Sequence, residues 1–127
     1  MLTDAKAISS SLALSGYPVD WDNATVIRIG ITDDQQLNAT KIKLFQQLNY
    51  SSTKKKFGTA YDYFIFFVNN SEDVLNISGI CGVGNPLVNA TCGQINITSL
   101  NLKNLAKTER YLNYNSKVVK MIVYVWQ

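Results

Sequence analysis

Cys81 and Cys92 are the two cysteines of the chain, and they bracket the stretch CGVGNPLVNATC. Residues of this type at this spacing can do three things: bind a metal, act as a thiol nucleophile, or close a disulfide. A zinc site needs four ligands, and two cysteines without histidine cannot supply them within one chain. A thiol catalyst needs a neighbouring base or a helix N-terminus to form its thiolate, and the flanking residues offer neither. A Cys81–Cys92 disulfide closes a loop of glycine, asparagine and proline that tolerates tight turns, worth about 3 kcal/mol in the chain-entropy description. The even count favours that staple, with two free buried thiols as the alternative.

The chain contains no histidine. That removes the commonest general base, the commonest metal ligand and every nucleophile–histidine pair. The carboxylates are Asp4, Asp20, Asp22, Asp33, Asp34, Asp62, Glu72, Asp73 and Glu109, most of them where turns are expected. Asp20 and Asp22 in DWDN offer oxygens to a hard cation but fall short of a full ligand set. The glycines show no phosphate-binding spacing. No catalytic residue, cofactor site or metal site is assigned.

Asparagine carries a stronger pattern. Asn-x-Ser/Thr without intervening proline occurs at Asn23, Asn38, Asn49, Asn69, Asn76, Asn89 and Asn96. Composition alone predicts roughly two such triplets. Seven suggest an extracytoplasmic, glycosylated surface, although asparagine and threonine also suit caps and turns. An oxidising compartment agrees with the disulfide. Net charge is +3, too mild and too scattered for a nucleic-acid footprint, and no nucleic-acid partner is expected.

The elements that would hold these residues follow from periodicity. Thr3 is the expected N-cap of a first helix whose Ala5, Ile8 and Leu12 share a face, stopped at Gly16 and Pro18. ATVIRIGI (24–31) alternates as a half-buried strand with Ile27, Ile29 and Ile31 on one side. LNATKIKLFQQL (37–48) is a helix capped by Asn38 and stapled by Leu37 and Ile42. A second short helix begins at Ser51 or Ser52 and closes at Gly58, with Lys54, Lys55 and Lys56 in its last turn. YDYFIFFV (61–68) is apolar on both faces and belongs mid-sheet. VLNISGI (74–80) leads to Cys81, and GQINITSL (93–100) is a further short strand. AKTERYLNY (106–114) and KVVKMIVYVW (117–126) make a hairpin about Asn115-Ser116. The expectation is one α+β domain over 1–127, with an N-terminal helix and two short helices on one face of a four- to five-stranded antiparallel sheet.

The stretch SGYPVDWDNATVIRIGITDDQQLNATKIKLF, followed by FGTAYDYFIFFV, resembles the head domain of archaeal type IV pilin-like proteins. The resemblance lies in Gly16, Tyr17, Pro18, Trp21, Ile29, Gly30, Ile31, Asn38, Thr40, Lys41, Gly58, Tyr61 and Asp62, with VVKMIVYVW as a similar chain end. It implies a non-enzymatic structural subunit at the cell surface, held by a long hydrophobic N-terminal helix in the membrane or the filament core. That helix is not in this sequence, so residues 1–15 are expected to be its soluble end, and the chain as given a monomer. Its partners would be other pilin-like subunits or cell-surface components, and the membrane would be reached only through the missing helix. The alternative is a secreted, adhesin-like module that binds a surface glycan or protein through its loops, with Trp21 as a surface contact.

Overall fold

The computed structural model describes residues 1–96 and 104–127. In chain order its elements are α1 (Leu2–Leu12), β1 (Thr32–Asp33), β2 (Gln36–Leu37), α2 (Ala39–Gln47), α3 (Tyr50–Phe57), β3 (Asp62–Val68), β4 (Val83–Gly84), β5 (Asn89–Thr91), β6 (Gln94–Asn96), β7 (Leu105–Tyr114) and β8 (Lys117–Trp126). The fold is α+β.

The sheet is built on the β7–β8 hairpin, which pairs over its whole length around Asn115 and Ser116. Both turn residues have positive φ, the requirement of a two-residue hairpin loop that follows the strand twist. β3 pairs antiparallel with β8 through seven residues and takes the interior position its apolar run demands. Its odd-numbered residues from Tyr63 to Phe67 join α1 and α2 in the main core, while Phe64, Phe66 and Val68 form a second core on the opposite face. Every helical residue in these cores belongs to the first, so the helices share one side of the sheet.

The sheet is larger than expected and is mixed. It has six strands in the order β1-β2-β7-β8-β3-β4, and β2 runs parallel to β7 where Gln36 meets Asn113. A two-residue turn at Asp34 and Gln35, both at positive φ, folds β1 onto β2. The Asn113 amide then donates to the Gln35 carbonyl at 3.2 Å.

The strand expected over 24–31 is absent. Ile27 is 65% exposed while Ile29 and Ile31 are buried. Burial does not alternate, since Gly30 and Thr32 are buried beside Ile29 and Ile31, and the hydrogen bonds are not those of a strand: Arg28 bridges Tyr17, and Ile31 and Thr32 donate to the carbonyls of Leu12 and Leu14. The segment is pinned beneath the exit of α1. Gly16 and Gly30 make this possible, since a Cβ on Gly30 would overlap the Gly16 amide. Gly16 also sits at φ +81. The stretch 74–80 likewise forms only isolated bridges, Val68 with Val74 and Ile77 with Ile80.

Among the helices, α1 buries the anticipated Ala5, Ile8 and Leu12, with Ser9 added. Full burial of Ile8 and Leu12 contributes about 1.5–3 kcal/mol each. The helix starts one residue before Thr3, with Met1 in the cap position, and ends at Leu12 rather than Gly16. Asn38 caps α2 by accepting from the Lys41 amide. For α3 the cap is Asn49, not Ser51 or Ser52, and Gly58 closes it in the left-handed conformation.

Candidate functional site

The 81–92 stretch forms the centre of an arm that crosses the second face of the sheet. The Cys81–Cys92 disulfide is present, with Cα atoms 5.0 Å apart. It closes β4 and β5 into one loop, whose Val88 packs with Val74 and Ile95 on Phe64, Phe66, Ile122 and Trp126. Gly84, at φ +146, lets β4 lie against the Tyr63 carbonyl, where a Cβ would overlap it. Val83, with Ile77 and Ile80 just before Cys81, enters the main core instead, so the disulfide ties the 84–92 loop to a stretch already held there.

Trp21 is not a surface contact. It is 2% exposed, and its indole Nε1 donates to the Gly30 carbonyl at 2.9 Å. The resemblance motif around it thus does structural work, tying the turn after α1 to the segment beneath. The neighbouring Asp22 carboxylate accepts from the amides of Ala24 and Thr25 and from the Thr25 hydroxyl. Those donors, Ala24 first and then Thr25, hold it below its usual pKa.

A cluster not anticipated from the sequence joins three segments at Lys41. Its buried Nζ donates to Asp33 Oδ1 and to the Ser15 carbonyl, each at 2.9 Å. Asn38 Nδ2 donates to the other Asp33 oxygen at 2.7 Å. The Asn38 bond first, then Lys41, lowers the Asp33 pKa. A lysine three residues past an N-cap is the available signal, because that spacing turns the side chain back toward the helix entry.

A second polar chain lies under α3. Tyr50 Oη donates to Asp62 at 2.8 Å and accepts from the Tyr63 amide, while the hydroxyls of Tyr63 and Thr53 are 2.6 Å apart. Burial pushes both phenols well above their ordinary range. These groups border a cleft of about 250 Å³ between α2–α3 and the β4 loop. Of its aromatic walls, Phe45, Tyr63 and Phe64 are buried and Tyr50 is half-buried.

The carboxylates mostly face cations. Asp33 pairs with Lys41, Asp62 with Lys54, and Glu109 with Lys107. Glu72 and Glu109 meet the same Lys120 Nζ at 3.0 and 3.6 Å. Among the described residues no group of three or more histidine, cysteine or acidic residues could hold a metal.

Four of the acceptor asparagines act as local caps. Asn38 and Asn49 open α2 and α3, accepting from Lys41 and Ser52. Asn76 accepts from the Gly79 amide, and Asn69 from the amides of Ser71 and Asp73. Asn23 is exposed in the turn that Asp22 organises. Asn89 and Asn96 lie in β5 and β6, and the rest of the Asn96 triplet falls outside the described residues. The strand expected over 93–100 is described only as β6. No helix among the described residues is long and apolar enough to cross a membrane.

No protein-family model matches this chain, and no curated protein or solved structure is significantly similar to it.

Proposed function

We propose that this chain is the outward-facing head of a pilin-like cell-surface subunit, a structural part rather than a catalyst. The observation that carries the reading is the seating of α1. It lies on the β7–β8 hairpin with Ala5, Ile8 and Leu12 fully buried, while its first turn has no side-chain cap. A helix held to the sheet along one whole face, from Ala5 to Leu12, suits a stem through which such a head is borne.

Three further features agree. The disulfide suits an oxidising compartment. The acceptor asparagines Asn23, Asn49 and Asn76 are exposed. The residues that resemble archaeal pilin-like heads hold the fold together: Gly16 and Trp21 secure the α1 exit, Gly58 closes α3, and Asp62 receives Tyr50. The alternative, a secreted module gripping a glycan through its loops, wants a cluster of open aromatic rings, and Trp21 and three of the four rings that line the 250 Å³ cleft are buried.

Surface labelling tests the proposal. Cells of the native host expressing the full-length chain would be treated, intact, with a membrane-impermeant amine reagent; Lys55 and Lys56 are exposed to it. Labelling of intact cells, with an apolar stretch of about 20 residues encoded directly before Leu2, is expected. Lysines that react only after lysis would overturn the reading.

A further inference from the structure

We infer that Asn69 is the acceptor built to carry an N-linked saccharide, and that the first sugars lie in the groove beside it. The inference rests on the extracytoplasmic reading above.

Among the acceptor asparagines whose side chains are described, Asn69 alone accepts from the amide of its own hydroxyl residue. Its Oδ1 receives the Ser71 N–H at 2.9 Å and the Asp73 N–H at 3.0 Å. The first bond is an Asx-turn spanning the triplet, which holds the Ser71 side chain near the carboxamide. Two donors on Oδ1 stabilise the charge that develops there as Nδ2 gives up a proton. Nδ2 itself donates no hydrogen bond among the described residues. The others differ: Asn49 and Asn76 take one amide each, from the residue three positions on. Asn38 is locked, its Nδ2 spent on Asp33 beside Lys41.

The second observation is spatial. A groove of about 400 Å³ runs from Asn69 and Asn70 to Tyr114, Lys117 and Val118 at the tip of the β7–β8 hairpin. That volume is in the range of small-ligand sites, about 300–1,000 Å³. A sugar ring has an apolar C–H face and a hydroxyl rim. Tyr114 and Val118 offer surface for the face, and Asn70 and Lys117 offer polar groups for the rim.

In the transfer, Asn69 Nδ2 attacks the anomeric carbon of a saccharide carried on a lipid phosphate. The C–N bond forms, the C–O bond to phosphate breaks with its electron pair, and the lipid phosphate leaves. The Nδ2 proton passes to a carboxylate of the transferase.

Full-length protein from the native host, as wild type and as the Ser71→Ala and Tyr114→Ala variants, would be mapped by glycopeptide mass spectrometry and hydrogen exchange. Asn69 should show the highest occupancy of the five described acceptors and Asn38 the lowest. Ser71→Ala, which keeps the backbone turn, should cut Asn69 occupancy at least tenfold and leave the other sites unchanged. Amides of 114–119 should exchange several-fold more slowly in the glycosylated wild type than in Ser71→Ala, and Tyr114→Ala should lose that protection while keeping the glycan. A bare Asn69 beside occupied acceptors overturns the inference, as does a wholly bare chain; surface labelling of intact cells decides the compartment separately. An occupied Asn69 without protection at 114–119 overturns the groove seat.

Discussion

The indole Nε1 of Trp21 reaches the carbonyl oxygen of Gly30 at 2.9 Å, the buried side-chain bond among those that fasten the turn after α1 to the segment that runs under it. Trp21→Phe keeps an aromatic ring but leaves that buried carbonyl without its donor and opens a void. The expected loss is about 2–4 kcal/mol, from the orphaned acceptor and the missing atoms together. Urea unfolding measures it as a lower midpoint at unchanged slope. An unchanged midpoint would mean the ring is not the fastener described.

The disulfide ties the 84–92 loop to a stretch that is itself held in the main core. Replacing Cys81 and Cys92 together with alanine should cost about 3 kcal/mol, a fall in melting temperature of roughly 10 °C. The loss should be local as well as global: Ile77, Ile80 and Val83 stay in the main core, whereas residues 84–92 keep only the footing of Val88 on the second face. Hydrogen exchange should quicken across 84–92 well before it changes in α1, β7 or β8. Uniform quickening would show that the arm and the main core unfold as one unit.

What the sequence made legible were the features whose bonds are local. Asn38 before α2, the Asn115-Ser116 turn and the doubly apolar β3 each announce themselves within a few residues, and each lies where expected. Alternation at 24–31 was equally clear and misled, because Ile29 and Ile31 are buried against a helix exit rather than in a sheet. The period of two grouped Ile27 with Ile29 and Ile31, yet Ile27 is exposed, because side-chain alternation holds only where a strand ladder fixes the backbone. The parallel contact of Gln36 with Asn113 joins residues 77 positions apart and left no local trace. The Lys41 cluster was hidden for the same reason, since Ser15, Asp33 and Lys41 come from separate segments. Trp21 was weighed as a contact because a turn aromatic beside acids looks exposed in one dimension.

Asp33 makes part of the stability depend on pH. Its carboxylate is held below the ordinary 3.8 by Asn38 first and Lys41 second. A depressed folded value means the unfolded chain binds the proton more readily, so the contribution is complete above 3.8 and is lost as pH falls through the lower folded value. Asp33→Asn should lower stability at neutral pH and make its decline in acid shallower than in the wild type. Because the carboxylate is half-exposed, its coupling to Lys41 in a double-mutant cycle with Lys41→Met should be no more than about 1 kcal/mol. Parallel acid limbs in the two proteins would remove Asp33 as a source of the dependence.

The hairpin that founds the sheet is not at its optimum. Asn115 and Ser116 both hold positive φ, at 50° and 62°. Asparagine accepts that conformation readily, whereas serine strains its Cβ against the preceding carbonyl. Glycine at the second position would give the Asn-Gly pair that a loop of this kind prefers. The gain from relieved strain exceeds the extra backbone entropy glycine brings to the unfolded chain, so Ser116→Gly should stabilise by about 0.5–1 kcal/mol. The β7–β8 pairing is the longest in the molecule and local in sequence, so it is the natural nucleus. Most of the gain should then appear as faster refolding, with unfolding little changed. Stopped-flow refolding distinguishes the cases: a slower unfolding limb alone would place the hairpin after the folding barrier.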